Sequence, residues 1–278
     1  MMRWLIDPLK PLALICTGSV LSVLVVDAPS HAVVLYQNDS LDSTGENRLF
    51  PVGLQPTQPD YTGQIVGDLM WLNTYTVQTG GEVLDSISLT FGGQPQTDGS
   101  APSGLADWQT NPYPVTALLY GDPNNDGNPI DAQLLAQADG IVQNPDTLQL
   151  TTFNIAPTEL AVGQNFFVGA LFRNLERDQR PATADLRSAD PAASTAARSW
   201  FAIGNHGDGQ PSNIDINDLS NNFVPGNGGQ SPVPLPSIYG SWVLRATGQS
   251  ARRRVPEPTL ILGLAATAGL AYRWRKRR

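Results

Sequence analysis

The run Asp122-Pro123-Asn124-Asn125-Asp126-Gly127 places oxygen-bearing side chains at its first, third and fifth positions and a glycine at its sixth. That spacing suits a hard divalent cation. Alternate side chains converge on the ion while the glycine permits the sharp turn, so calcium is the cofactor the pattern fits, with Asp122, Asn124 and Asp126 as its first ligands. A complete calcium loop of this kind ends on a bidentate glutamate at its twelfth position; here Gln133 stands there and Asp131 comes two residues early. Closure of the shell would fall to Asp131 or to a carboxylate distant in sequence. The same residues also read as a plain turn, because Asp-Pro and Asp-Gly pairs favour turns between strands. The sequence leaves both readings open.

Two further residues invite a ligand. His206 lies in the glycine-flanked run Gly204-Asn205-His206-Gly207-Asp208-Gly209, with Asp215 and Asp218 following. A histidine beside a carboxylate can act as a general base or bind a metal, although an exposed turn explains it equally well. Trp108, between Asp107 and Gln109 and near Tyr113, offers an aromatic face of the kind that stacks on sugar rings, or an anchor for its own loop. No catalytic set emerges beside them. Gly-x-Ser-x-Gly and His-Glu-x-x-His are both missing from the sequence. The four glutamates between the terminal segments, Glu46, Glu82, Glu159 and Glu176, single out no acid and base pair of the sort glycoside hydrolysis uses. The expectation is a protein that is not an enzyme.

The elements that must position these residues read as strands. In Ser86-Ile87-Ser88-Leu89-Thr90-Phe91 the apolar side chains fall on one face and the hydroxyls on the other, the period of a half-buried strand. Similar stretches cover residues 33–37, 69–77, 115–120, 148–155, 166–172, 199–203 and 241–246. Thr79-Gly80-Gly81 suits a hairpin joining Tyr75-Thr76-Val77 to the Ile87 strand. Residues 131–140 fit either a short helix or a strand with a bend. Residues 93–112 and 205–236 read as long surface loops, the end of the second as irregular. Trp71, Trp200 and Trp242 fall in strand patterns and are expected in the core. Eight or more strands with little helix predict an all-β, two-layer antiparallel β-sandwich, with a jelly roll as one arrangement of it.

Composition narrows the partners. Between Val33 and Ala251 the chain holds seven arginines, no lysine and 22 carboxylates, a formal charge near −15. Such a body repels phosphates, and this excludes nucleic acid as a partner. Divalent cations and neutral ligands stay compatible with it.

The ends read as addresses. Arg3 and Lys10 precede an apolar stretch over residues 12–26, and Ser30-His31-Ala32 supplies the small residues of a signal-peptidase site, which predicts cleavage after Ala32. Cys16, the one cysteine of the chain, would leave with that segment, so neither disulfides nor thiol chemistry are available to the body. At the other end, Val255-Pro256-Glu257-Pro258 leads into an apolar run over residues 259–271 and then Arg273-Trp274-Arg275-Lys276-Arg277-Arg278. The run falls short of the roughly 20 residues that span a bilayer comfortably, and the basic cluster favours a cytoplasmic end. Arg252-Arg253-Arg254 on the outer side weakens that charge asymmetry without reversing it.

This order of a Pro-Glu-Pro signature, one hydrophobic segment and a basic cluster resembles the PEP-CTERM sorting signal. The resemblance implies an exosortase substrate: residues 1–32 a signal peptide, 33–251 the ectodomain, 252–278 a sorting tail that holds the chain in the inner membrane through a single hydrophobic helix before processing. Blocks such as Phe166-Phe167-Val168-Gly169 and Ser241-Trp242-Val243-Leu244-Arg245-Ala246 look like parts of uncharacterised ectodomains that accompany such tails. The expected partners are exosortase and signal peptidase as processing enzymes and an extracellular polysaccharide as surroundings. The leading expectation is an exported cell-surface or matrix protein with a structural or interaction role in an exopolysaccharide layer. The alternatives are a carbohydrate-binding module with structural calcium and, third, an exported hydrolase.

Overall fold

A computed structural model of the chain describes residues 33–39, 49–52, 65–92, 112–176, 179–185, 198–204, 213–221, 232–235 and 240–251. The sorting motif Val255, Pro256, Glu257 and Pro258, both terminal segments, Trp108 and His206 lie outside these residues. Among the described residues there is no α-helix; thirteen strands and two short 3-10 turns make up the regular structure.

The strands form an antiparallel β-sandwich. One sheet has four strands in the order β1 (Val33–Gln37), β13 (Leu244–Gln249), β4 (Val83–Leu89), β7 (Thr151–Glu159). The other has six: β11 (Val233–Pro234), β10 (Ser199–Gly204), β3 (Ile65–Thr76), β8 (Asn165–Glu176), β5 (Pro114–Gly121) and β6 (Gln133–Ile141). A small third sheet pairs β12 (Ser241–Trp242), β9 (Ala182–Asp185) and β2 (Leu49–Val52). The main core lies between the two larger sheets. Leu84, Ile87 and Leu89 of β4 and Phe153 and Ile155 of β7 belong to one buried cluster with Trp71, Phe166, Val168 and Phe172 of β3 and β8. Alternation turns the other side chains of the four-stranded sheet outward, where the Ser88 and Thr152 hydroxyls hydrogen-bond across strands at 2.8 Å.

The six-stranded sheet is covered on both faces, which alternation alone does not foretell. Met70, Leu72, Leu118, Tyr120, Phe167 and Leu171 point away from the main core into a second buried cluster, closed by Ile214 and Leu219 of the segment 213–221. That segment is pinned by Asp68, whose carboxylate accepts from the Ile214 amide at 2.9 Å and pairs with Arg173 at 2.6 Å. The long loop expected over 205–236 therefore contains ordered parts: a 3-10 turn at Leu219–Asn221, and β11 where irregular chain was expected. Close packing shows at Gly169 of β8, where a Cβ would come within 2.3 Å of Leu72 Cδ2 and 2.9 Å of the Trp71 carbonyl oxygen.

Two sequence readings need correction. Thr79-Gly80-Gly81 is a turn but not a hairpin, because β3 pairs with β8 and β10 while β4 pairs with β13 and β7. The turn carries the chain from one sheet across to the other, so that both flanking strands bury an apolar face. Residues 241–246 are two strands, broken at Val243, whose amide donates to the Thr183 carbonyl at 2.9 Å. Of the two readings open for residues 131–140, the strand holds: β6 covers Gln133–Ile141 and pairs with β5.

A buried ion pair fastens the end of β1 to β13. The Asp39 carboxylate accepts from Arg245 Nε at 3.0 Å and from a second guanidinium nitrogen, and its side chain is fully buried. Removing one partner takes a buried counter-charge from the other, at a cost of up to about 3–5 kcal/mol. Asp39→Ala is accordingly expected to lower the urea unfolding midpoint by that equivalent; a shift below about 1 kcal/mol would show that water reaches Arg245.

Candidate functional site

The loop that follows β5 is built by its own polar side chains. Asp122, 1 % exposed at the end of the strand, accepts from the Asn125 amide on one oxygen at 2.9 Å and from the Gly127 amide on the other at 2.7 Å. The chain continues as a succession of side-chain to backbone turns. Asn124 Oδ1 accepts from the Asp126 amide at 2.9 Å, Asp126 Oδ1 from Asn128 at 2.7 Å, and Asn128 Oδ1 from Ile130 at 3.2 Å, which caps the 3-10 turn Pro129–Asp131. Asn125 and Gly127 take left-handed backbone at φ 59° and 79°. This is where asparagine and glycine are tolerated.

The result brings the carboxylates of Asp122, Asp126 and Asp131 within 4.8 Å of one another. Two oxygens on one calcium ion, each at 2.3–2.6 Å from it, lie at most about 5 Å apart. The three acids thus have the spacing of a shared cation. Each hydrogen-bonded carboxylate oxygen keeps a second lone pair for a metal. Asn124, the fourth residue singled out by the sequence, has its Oδ1 on the Asp126 amide and its Nδ2 on Asp126 Oδ2 at 3.0 Å. It shapes the loop and orients Asp126. Gln133 belongs to β6, exposed and paired with Gly121.

The loop is clamped to the sheet through Asn165, the first residue of β8. Its amide donates to Asn125 Oδ1 at 2.6 Å, its side-chain Nδ2 to the Asn125 carbonyl at 3.1 Å, and its Oδ1 accepts from Thr76 Oγ1 at 2.8 Å. Asp126, Gly127, Asn128 and Asn165 then form one wall of a groove of about 660 Å³. β1 supplies another wall through Leu35, Gln37 and Asn38, and the end of β3 a third through Thr74, Thr76 and Gln78. Tyr36, Tyr75 and Trp200 form the floor, with Arg198 at the side. No single stretch of sequence displays this site, because its residues come from five separate segments.

The floor is fixed. Trp200 Nε1 donates to Thr74 Oγ1 at 2.9 Å, and the Trp200 carbonyl accepts from Trp242 Nε1 at 2.7 Å. Tyr36 OH donates to the Gly81 carbonyl at 3.0 Å and accepts from the Gln78 amide at 3.1 Å, with its ring edge-on to Phe166 at 5.0 Å. Tyr75 OH donates to the Leu244 carbonyl. Burial pushes both tyrosine hydroxyls above their usual range, so they stay neutral donors. Trp71 and Trp242 are fully buried as expected. Trp200 is core on one side and groove floor on the other.

The chain matches no family model and no curated protein. Two solved structures resemble it at a distance. One contains the cysteine protease and lectin-like domains of Cwp84, a surface layer associated protein of Clostridium difficile, at 12% identity over 66% of this chain and 32% of that one, with a TM-score of 0.36. The other is the clostridial cysteine protease Cwp84 after propeptide cleavage, at 13% identity over 79% and 40%, with a TM-score of 0.40. The chain thus spans well under half the length of either.

Gly127 tests how far the loop depends on its backbone. A Cβ there would meet nothing nearer than Asn165 Nδ2 at 3.9 Å, so Gly127→Ala costs backbone strain alone. The expected loss is about 1–2 kcal/mol, read from urea unfolding; an unchanged midpoint would mean that the loop can leave the left-handed conformation freely.

Proposed function

We propose that the chain is an exported protein of the cell surface or extracellular matrix, sorted by a PEP-CTERM signal, and that its β-sandwich works by binding within an exopolysaccharide layer. The observation that carries the binding role is the groove: a concavity of about 660 Å³ with three largely buried aromatics at its floor and a lining otherwise mostly of amides and hydroxyls, joined by Leu35, Asp126 and Arg198. That volume lies in the range of a small-molecule site, and the polar lining favours a hydroxyl-rich ligand over an apolar one. Export rests on the terminal segments of the sequence, with apolar runs over 12–26 and 259–271 and the Val255-Pro256-Glu257-Pro258 signature. The strand order supports a jelly roll as the finer description, since β1, β13, β4 and β7 face β3, β8, β5 and β6 and each step along the chain among these eight strands, except β5 to β6, crosses between the sheets. Jelly rolls include lectin domains, an analogy at the level of fold alone.

Export is tested by intact-mass measurement of the protein recovered from the surface and medium of its native cells. The expected species runs from Val33 to a point near Pro258, and Glu257→Ala is expected to keep the tail attached. A mass that retains Arg278 in the unaltered protein would make it a tail-anchored protein instead.

The loop at Asp122, Asp126 and Asp131 favours calcium as a structural cofactor of this reading. Calcium at about a hundred times its dissociation constant should stabilise the fold by about 2.7 kcal/mol. Asp126→Asn combined with Asp131→Asn should remove that gain while leaving the calcium-free midpoint nearly unchanged. A melting temperature indifferent to calcium would reduce the loop to a set of turns.

A further inference from the structure

We infer that the groove between β1, the end of β3 and the Asp126–Asn128 wall binds a neutral polysaccharide, gripping hydroxyl groups through its side-chain amides. This rests on the binding role proposed above and gives it a ligand class and a place. The chemistry of the walls selects the ligand. Gln37 and Gln78 are exposed at the groove, and Asn38, Asn128 and Asn165 are partly so. A side-chain amide carries both donors and an acceptor, which matches sugar hydroxyls, themselves donors and acceptors at once; Asn38, Asn128 and Asn165 already use part of that capacity within the protein, so the grip falls mainly to Gln37 and Gln78. A carboxylate or phosphate ligand would want a cluster of cations, and Arg198 is the one basic residue among the described lining residues. Asp126 in the opposite wall repels an anion, as does the acidic body around it. A cationic ligand would want several carboxylates in the cleft, where Asp126 stands without a second one among the described lining residues.

Preorganisation makes such weak polar contacts count. Asn165 and Thr74 are held by hydrogen bonds within the protein, and Trp200 is fixed at both its indole nitrogen and its carbonyl, so little ordering remains to be done when a ligand arrives. A polypeptide adding to the outer edge of β1 would use that strand's backbone instead, and would be insensitive to the amide side chains.

The test is affinity electrophoresis of the full chain through gels containing dextran, hydroxyethyl cellulose or galactomannan as neutral polymers, and alginate as the anionic one. At least one neutral polymer is expected to retard the protein and alginate is not. Gln37→Ala with Gln78→Ala should weaken the retardation about tenfold or more, and Gln78→Trp, which fills the groove, should abolish it; both positions are exposed, and unchanged urea midpoints would confirm intact folding. No retardation by any neutral polymer, retardation by alginate alone, or retardation that survives all of these substitutions would overturn the assignment. Localisation plays no part in this readout, so a failure here leaves the export reading standing, and a failure of export leaves this result standing.

Discussion

The buried amide of Asn73 is the contact on which the rest of the molecule leans. It sits in the middle of β3 with no exposure, its Nδ2 donating to the Trp242 carbonyl at 2.8 Å and its Oδ1 accepting from Ser199 Oγ at 2.6 Å. Asn73 and these two partners belong to three places in the chain: a central strand of the six-stranded sheet, its neighbour β10, and the point where β12 of the small sheet gives way to β13 of the four-stranded one. Beside the break at Val243 lie the buried carbonyls of Trp242 and Leu244, and a buried carbonyl without a partner would cost about 1–3 kcal/mol. Asn73 meets that need at Trp242, while Tyr75 meets it at Leu244. Because Tyr75 and Trp200 are also the floor of the groove, the packing that joins the sheets and the shape of the candidate site are one structure.

How much of this was legible depended on whether the information was local. The pattern of Ser86 to Phe91 gave the inner face correctly, since Ile87, Leu89 and Phe91 are all buried. The turn chemistry of Thr79-Gly80-Gly81 was equally clear, yet it misassigned the partner strands. A turn fixes where a chain reverses and not which sheet it then joins; the apolar faces of β3 and β4 are satisfied by facing each other across the core rather than by pairing side by side. The same limit explains Val243, whose apolar side chain continues the strand pattern while its backbone leaves one sheet for another. Ile214 and Leu219 went unread because two apolar residues among aspartates and asparagines carry no period, although both are needed to cover Met70, Leu118 and Phe167.

The two halves of the candidate site differ in the same way. The acids of the loop are near neighbours in sequence; their spacing suggests Asp122 and Asp126 as partners and leaves the closing group open between Asp131 and a distant carboxylate, and the fold brings Asp131 to them. What the spacing could not give was the clamp, since Asn165 lies some forty positions along the chain from Asn125. The groove had no signature at all. Trp200 reads as a core residue in its strand pattern and is one; the concavity it lines with Tyr75 needs β1 and the Asp126 loop, which come from distant parts of the chain. Glutamines in a strand such as Gln37 read as the solvent side of an edge, which is a correct description that omits what they face.

Asp126 belongs to both features, and this ties the electrostatics of the groove to the loop. Its Oδ1 and Oδ2 are oriented by Asn128 and Asn124, and its carboxylate lies in the cluster with Asp122 and Asp131 and also lines the groove. Three carboxylates this close repel one another, with solvent screening the exposed Asp126 and Asp131 more than the buried Asp122. A divalent cation among them would convert that repulsion into attraction and draw the charge of Asp126 out of the groove wall. The wall would then present the Asn128 and Asn165 amides with less competing charge, a surface better matched to neutral hydroxyls. A loop tightened by calcium and a groove that takes an uncharged polymer are for that reason mutually supportive readings, even though each is measured by a separate experiment.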